Sequence, residues 1–188
     1  MLNDQIPFNS NILEVGCGTG QLSNYLGLSS KNIVGVDMCS NSLKLAEEFR
    51  LKNKISNKKF YKMNLFKPIF KDNSFDLLIC QGVLHHTSDP YLGFEIISKL
   101  VKKNGYIIIG LYNKYGRLIT DIRRIIFKIT KDRFKFLDPR LKNNDRGKLK
   151  KAAWYNDQYK HPHELKHTIS DVLKWFELND FDYVNSIP

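Results

Sequence analysis

The sequence predicts an α/β fold with a mostly parallel sheet and helices on both faces. Three observations carry that expectation. The apolar run Ile12 to Val15 leads straight into a glycine-rich turn, Gly16-Cys17-Gly18-Thr19-Gly20. A second apolar run closes on Asp37, about 20 residues later, the distance at which an acid meets a ribose in nucleoside-binding sheets. Beyond it, strand-like and helix-like segments alternate through residue 109, as successive β-α-β units do.

Taken in order, Ile12 to Gly16 is the first strand, and Gln21 to Leu28 is a short helix burying Leu22, Tyr25 and Leu26. Asn32 to Asp37 is the second strand. Ser40 or Asn41 caps the next helix, which carries Leu43, Ala46 and Phe49 at helical spacing. Lys59 to Met63 and Phe75 to Cys80 are the third and fourth strands. Ser88-Asp89-Pro90 starts a helix, since proline in a first turn loses no hydrogen bond, and Asn104-Gly105 stops it. Thr168-Ile169-Ser170-Asp171 reads as a capping box for a last helix that closes over Trp175 to Asn179. Phe181 to Ile187 reads as a sixth strand.

With 188 residues and 42% hydrophobic content, the chain has room for one α/β domain with a core. Its N-terminus is polar and no apolar run approaches the length of a membrane span. Neither a signal peptide nor a transmembrane helix is expected, which points to the cytoplasm. Cys17, Cys39 and Cys80 are odd in number and sit at strand ends. They read as small buried hydrophobes, neither a disulfide nor a metal framework.

The glycine spacing narrows the ligand. A dinucleotide fingerprint needs Gly or Ala where Gln21 stands, whereas here the acid Glu14 precedes Gly-x-Gly-x-Gly. That pattern resembles motif I of the class I S-adenosyl-L-methionine (SAM) dependent methyltransferases. The resemblance runs from about Asn11 to Tyr112. It includes Asn73 to Cys80 as the fourth strand, Gln81 to Pro90 as the following loop, and Lys102 to Ile109 as a helix stop and fifth strand.

The resemblance implies a Rossmann-like sheet and SAM as cofactor. Glu14 would accept from the cofactor's ammonium, directly or through water, while Gly16, Cys17, Gly18 and Gly20 let the backbone approach the methionyl part. Asp37 would accept both ribose hydroxyls. Met38 would pack on the adenine face or be an ordinary buried methionine. Asn64 stands where many members carry an Asp for the adenine amino group, with the N–H of Leu65 donating to the ring, and Gln81 joins the cofactor set at the end of the fourth strand. The family's seventh strand has no counterpart here, so the chain is expected to be truncated or altered at the far edge. The implied division is a SAM-binding core over residues 1–112, a basic helical insertion or lid over 113–167, and a last helix with the sixth strand over 168–188.

By the same analogy the methyl acceptor lies between the loop Gln81 to His86 and the segment after the fifth strand. His85 and His86 are the candidate catalytic bases, with Tyr112 and Asn113 as positioning groups; paired histidines in a loop can equally be a structural cap. His161, His163 and Glu164 read as parts of a lid. The stretch Asp157 to Glu164, with His167-Thr168, is similar to a group of poorly characterised bacterial methyltransferases.

From Lys114 to Lys151 there are fourteen Lys and Arg against four Asp, which accounts for +10 of the formal +11. Leu118, Ile122, Ile125 and Ile129 repeat at helical spacing within it, joined by Ile119 and Ile126, with Arg117, Arg124 and Lys128 on the other side. Such a helix can pack on the sheet with a solvated basic face. It can also dock an amphiphilic acceptor at an anionic membrane surface, or bind RNA, the weakest reading because no RNA-binding module is present. His163-Glu164-Leu165-Lys166-His167 matches the zinc-protease pattern, but Pro162 before it and the capping box after it place no helix there, and no metal is expected. The expected function is methyl transfer from SAM to a small or amphiphilic acceptor. The alternatives are an RNA methyltransferase using residues 114–151 and a SAM-binding partner subunit without activity. The oligomeric state stays open.

Overall fold

A computed structural model describes residues 9–29, 32–142, 147–161 and 163–186. The strands are β1 (Asn11–Val15), β2 (Asn32–Asp37), β3 (Lys58–Lys62), β4 (Phe75–Gln81) and β5 (Val101–Gly110). They form one sheet in the order β3-β2-β1-β4-β5, every neighbouring pair parallel. The helices are α1 (Gln21–Leu26), α2 (Ser40–Lys52), α3 (Pro90–Ser98), α4 (Leu118–Ile129), the single turn α5 (Pro139–Lys142), α6 (Lys148–Tyr155) and α7 (Ile169–Leu178). The expected Rossmann-like α/β class holds.

Burial on both faces explains why the central strands β1, β2 and β4 read as near-continuous apolar runs, whereas the edge strand β3 is rich in lysine. Leu13, Val15, Leu78 and Cys80 pack with Phe94 and Ile97 of α3 and Trp175 of α7, while Ile12, Ile33, Leu77 and Ile79 pack with Leu26 of α1. Chain order reverses at β1, whose neighbours are β2 and β4. The crevice at the carboxyl ends of β1 and β4 is therefore the topological switch point, where α/β sheets bind ligands.

Several elements depart from the sequence reading. Phe181 to Ile187 is not a sixth strand: residues 181–186 have no regular structure, and Ile187 lies outside the described residues. The physical cause is Asp180, whose φ of 57° turns the chain back so that the Phe181 N–H donates to the Phe176 carbonyl and its ring packs on Phe94. Helix α3 stops at Ser98, and Asn104-Gly105 instead lies within β5. There Val101 pairs with Phe75 and Tyr106 with Leu77, so the extra residues must loop out. Asn104 takes the left-handed conformation, and a Cβ on Gly105 would stand 3.0 Å from the Asp76 carbonyl oxygen.

Tyr25 is exposed, contrary to its expected burial, because α1 turns Ser23 and Asn24 inward; on α2 Ala46 is buried and Phe49 exposed. Cys39 is exposed too, whereas Cys17 and Cys80 are buried as expected. Helix α2 has no side-chain cap from Ser40 or Asn41; Ser40 is its first residue, and Asp37 holds the Cys39 N–H instead.

The insertion has a small core of its own, Phe127, Tyr155 and Tyr159. Asp138 sits among them, accepting from the Tyr159 hydroxyl at 2.9 Å, the Trp154 indole N–H at 2.9 Å and the Arg140 N–H at 2.8 Å. Helix α4 forms where the apolar spacing predicts, and of the arrangements left open it does not pack its apolar side on the sheet. Leu118, Ile119, Ile122, Ile125 and Ile129 are exposed, while Arg117 is buried and Arg124 is half-buried. Ion pairing to Glu164 from across the insertion draws the arginine side of the helix inward.

Candidate functional site

The carboxyl ends of the strands gather the expected residues along one edge. The N–H groups of Gly16 and Cys17 both donate to the Val36 carbonyl, at 2.7 and 3.0 Å, so the turn after β1 lies against β2. Two glycines in it answer to different demands. A Cβ on Gly16 would fall 2.1 Å from Val83 Cγ2, so that position is closed by packing. A Cβ on Gly18 would meet nothing within 4 Å, although its φ of 53° is one that L-residues seldom adopt. Gly18 is thus bare on the side that faces open space. Gly20 adopts a φ of 71° at the start of α1. Cys17 is buried, and burial pushes its thiol up to about 12, which leaves it a neutral packing group.

Asp37 ends β2 with both oxygens on main chain. Oδ2 accepts the Gly18 N–H at 2.8 Å and Oδ1 accepts the Cys39 N–H at 2.7 Å. The acid therefore fastens the glycine turn to the second strand, and each oxygen still has lone pairs for a further donor. Met38, next to it, is exposed rather than buried. The Met63 N–H donates to the Asp37 carbonyl at 3.0 Å, which brings Asn64 alongside Met38. Asn64 Oδ1 accepts the Phe66 N–H at 3.0 Å, so the carbonyl expected to face an adenine amino group closes a local turn. The Leu65 side chain is buried, and Gln81 is exposed at the end of β4.

Glu14 faces inward. It accepts from the Ser23 N–H at 2.9 Å and from the Ser23 hydroxyl, tying β1 to α1. Burial raises its pKa, partly countered by those Ser23 bonds and by Lys58. Lys58, buried nearby, is itself driven down to about 8 by desolvation.

After β4 the two histidines separate in character. His85 is 1% exposed and stacks on the Tyr112 ring at 3.9 Å. Neither of its ring nitrogens has a hydrogen-bond partner among the described residues. Burial, reinforced by His86, pushes its pKa down to about 4, so the imidazole stays neutral near pH 7. The His86 ring is half-exposed, and its Nδ1 lies 3.0 Å from the His163 carbonyl. A carbonyl can only accept, so Nδ1 carries the proton and Nε2 is left as a base.

The segment through Glu164 closes over this loop. Leu165 N–H donates to the His85 carbonyl at 2.8 Å, His163 Nε2 lies 2.8 Å from the Thr87 carbonyl, and the His161 ring lies tilted against His86 with centroids 3.8 Å apart. Residues 163–166 are not helical, so His163 and His167 do not share a helix face; Pro162 lies outside the described residues. Asn113, expected as a positioning group, uses its Oδ1 to accept the Tyr115 and Gly116 N–H groups.

Sequence reasoning missed what holds that segment down. Arg117 donates from Nε and Nη2 to both oxygens of Glu164, at 3.1, 2.9 and 2.9 Å, and Arg124 Nη2 donates to Oε2 at 2.8 Å. Arg117 also reaches Gln158, whose Nε2 donates to the Tyr112 hydroxyl at 3.2 Å, and its guanidinium lies 4.0 Å above the Tyr112 ring. Burial alone would raise the Glu164 pKa, but the bonds from Arg124 and Arg117 hold it below the ordinary value. A buried acid between two arginines thus positions Tyr112, and Tyr112 backs His85.

With this geometry in view, the family described as a methyltransferase domain matches residues 8–179. A ubiquinone biosynthesis O-methyltransferase from Colwellia psychrerythraea is 32% identical over 108 residues, covering 57% of this chain and 44% of that protein. A release factor glutamine methyltransferase from Fusobacterium nucleatum is 38% identical over 154 residues, covering 65% of this chain and 44% of its own length. Among solved structures, the Bacillus subtilis YcgJ protein superposes with a TM-score of 0.65 at 16% identity, over 95% of this chain and 65% of its own. At that identity the likeness shows the fold alone. The chain spans less than half the length of these two curated relatives.

Proposed function

We propose, from the premise that this chain belongs to the class I SAM-dependent methyltransferases, that it transfers the methyl group of SAM to a small or amphiphilic acceptor in the cytoplasm. The observation that carries the cofactor half is the open side of Gly18, held against Asp37 at the switch point of the sheet. A nucleoside laid along that edge would meet a bare backbone, an acid able to take ribose hydroxyls, and the exposed Met38 beside it. When bound, SAM supplies a methyl group already activated on a sulfonium. The protein's share is then alignment and exclusion of water.

The division of labour follows the chain: residues up to 112 hold the cofactor, and residues 113–167 roof the acceptor. His86 is the better candidate of the pair for a general base. With Nδ1 on the His163 carbonyl, its Nε2 is the ring atom placed to take a proton from the methyl acceptor, whereas the buried, weakly basic His85 serves as a rigid neighbour stacked on Tyr112.

Two substitutions test these roles. Asp37→Ala is expected to weaken SAM binding by roughly 2–4 kcal/mol in calorimetry, the scale of one charged hydrogen-bonding partner. Unchanged affinity would show that the ribose is held elsewhere. Turnover is measured with labelled SAM against lipid, small-molecule and RNA fractions of a cell extract. Labelling confined to the RNA pool, or absent from all pools despite SAM binding, would overturn the acceptor class. On the labelled acceptor, His86→Gln is expected to lower kcat by roughly 10²-fold or more with SAM affinity unchanged, if the methylated group must lose a proton.

A further inference from the structure

We propose that the outward apolar face of α4 docks the protein on an anionic phospholipid surface. This goes beyond methyl transfer and does not depend on it. Five aliphatic side chains, Leu118, Ile119, Ile122, Ile125 and Ile129, stand exposed on one helix, and Ile129 is 75% accessible. The opposite side of α4 is fixed to the body of the protein by the Glu164 ion pairs and by the burial of Phe127. The helix cannot roll over to hide the stripe without breaking both.

Charge identifies the occupant. Lys128 flanks the stripe, and the chain that follows the helix adds exposed Lys131 and Arg133 and the exposed rings of Phe134 and Phe136. The described aspartates of this stretch already have partners: Asp121 pairs with Lys166, Asp132 with Lys135 and Lys160, and Asp138 is ringed by Tyr159, Trp154 and Arg140. What remains outside is apolar surface bordered by cations and aromatic rings. That combination matches the boundary between acyl chains and anionic headgroups, where a helix lies flat with its apolar side submerged. A second copy of the chain would bring the same positive charge to the contact, which opposes self-association here.

The test is flotation of the 188-residue chain with vesicles of phosphatidylcholine alone or mixed with phosphatidylglycerol, without SAM or acceptor. Binding is expected only to the mixed vesicles, and it should weaken in high salt as the headgroup attraction is screened. Joint replacement Ile122→Glu and Ile125→Glu should reduce binding at least ~10-fold, since two submerged aliphatic side chains become charged. Both positions are solvent-facing, so the circular dichroism spectrum and the melting temperature should not move. Hydrogen exchange on the unaltered chain gives an independent reading: α4 should gain protection on the mixed vesicles. The proposal is overturned by no flotation with the mixed vesicles, by flotation that the double variant leaves intact, or by a solution dimer that the double variant dissolves while vesicles go unbound. Salt-sensitive binding of RNA with no vesicle binding would overturn it equally.

Discussion

Glu164→Ala is expected to destabilise the protein by about 3–5 kcal/mol, the largest single effect anticipated in this chain. The carboxylate is almost wholly enclosed, its side chain 1% exposed, and it neutralises two arginines that are themselves partly or fully withdrawn from water. Removing it leaves Arg117 and Arg124 facing each other without a counter-charge. In a chain of this size the change corresponds to a fall of about 6–20 °C in the melting temperature, read by thermal unfolding. Glu164→Gln should fall between, because the amide oxygen still accepts but carries no charge. The pH dependence has a definite sign. The folded pKa of Glu164 lies below its unfolded value, so its contribution is complete above the unfolded value and disappears as pH falls through the folded one. The acid limb of the stability profile should therefore be flatter in Glu164→Gln than in the unaltered protein. A melting temperature unmoved by either substitution would mean that the ion pairs do not fasten the insertion.

Gly18→Val should abolish detectable SAM binding, with a loss of at least ~100-fold, or about 2.7 kcal/mol. The sheet should stay folded, because no protein atom stands within 4 Å of the added Cβ. Part of the effect is backbone: a β-branched residue at a φ of 53° is strained, by roughly 1–2 kcal/mol. Gly18→Ala separates the contributions, since it keeps most of that strain and adds less bulk. Gly16→Val supplies the contrast. Its Cβ collides with Val83, so it should damage folding itself. Calorimetry for binding and circular dichroism for folding distinguish the two positions. Retained SAM affinity in Gly18→Val would place the cofactor elsewhere.

The parts of the fold that were legible in the sequence rest on short-range rules. The turn after β1, the acid ending β2, the proline start of α3 and the Thr168–Asp171 box each involve residues only a few positions apart, or one repeat of a familiar unit. What escaped depends on long separations. Arg117 and Glu164 are 47 residues apart, and nothing local in either neighbourhood announces the pairing. Apolar periodicity located α4 correctly but left open which side faces inward; a buried carboxylate decided it against the ordinary preference of isoleucines for the interior. One signal was present: Arg117 and Arg124 are two helical turns apart and so share a face, which a single acid can serve. Phe181 misled outright. Its strand-like surroundings could not reveal that Asp180 reverses the chain and spends the ring on Phe94. At the site, the turn through Gly16, Gly18 and Gly20 could be read ahead from its glycines, whereas the packing of Gly16 on Val83 and the local engagement of Asn64 and Glu14 depended on atoms that only the folded chain brings near.

The fastening between the loop after β4 and the returning segment runs through the main-chain carbonyls of His85, Thr87 and His163. Only the Leu165 N–H bond to His85 is main chain at both ends; the other two need the imidazoles of His86 and His163, so those rings and Glu164 are the fixed points of the roof, while exposed positions between them can change without loosening it. In the reading proposed above, acceptor preference then resides in those exposed roof positions, separate from the glycine turn and Asp37 at the sheet edge.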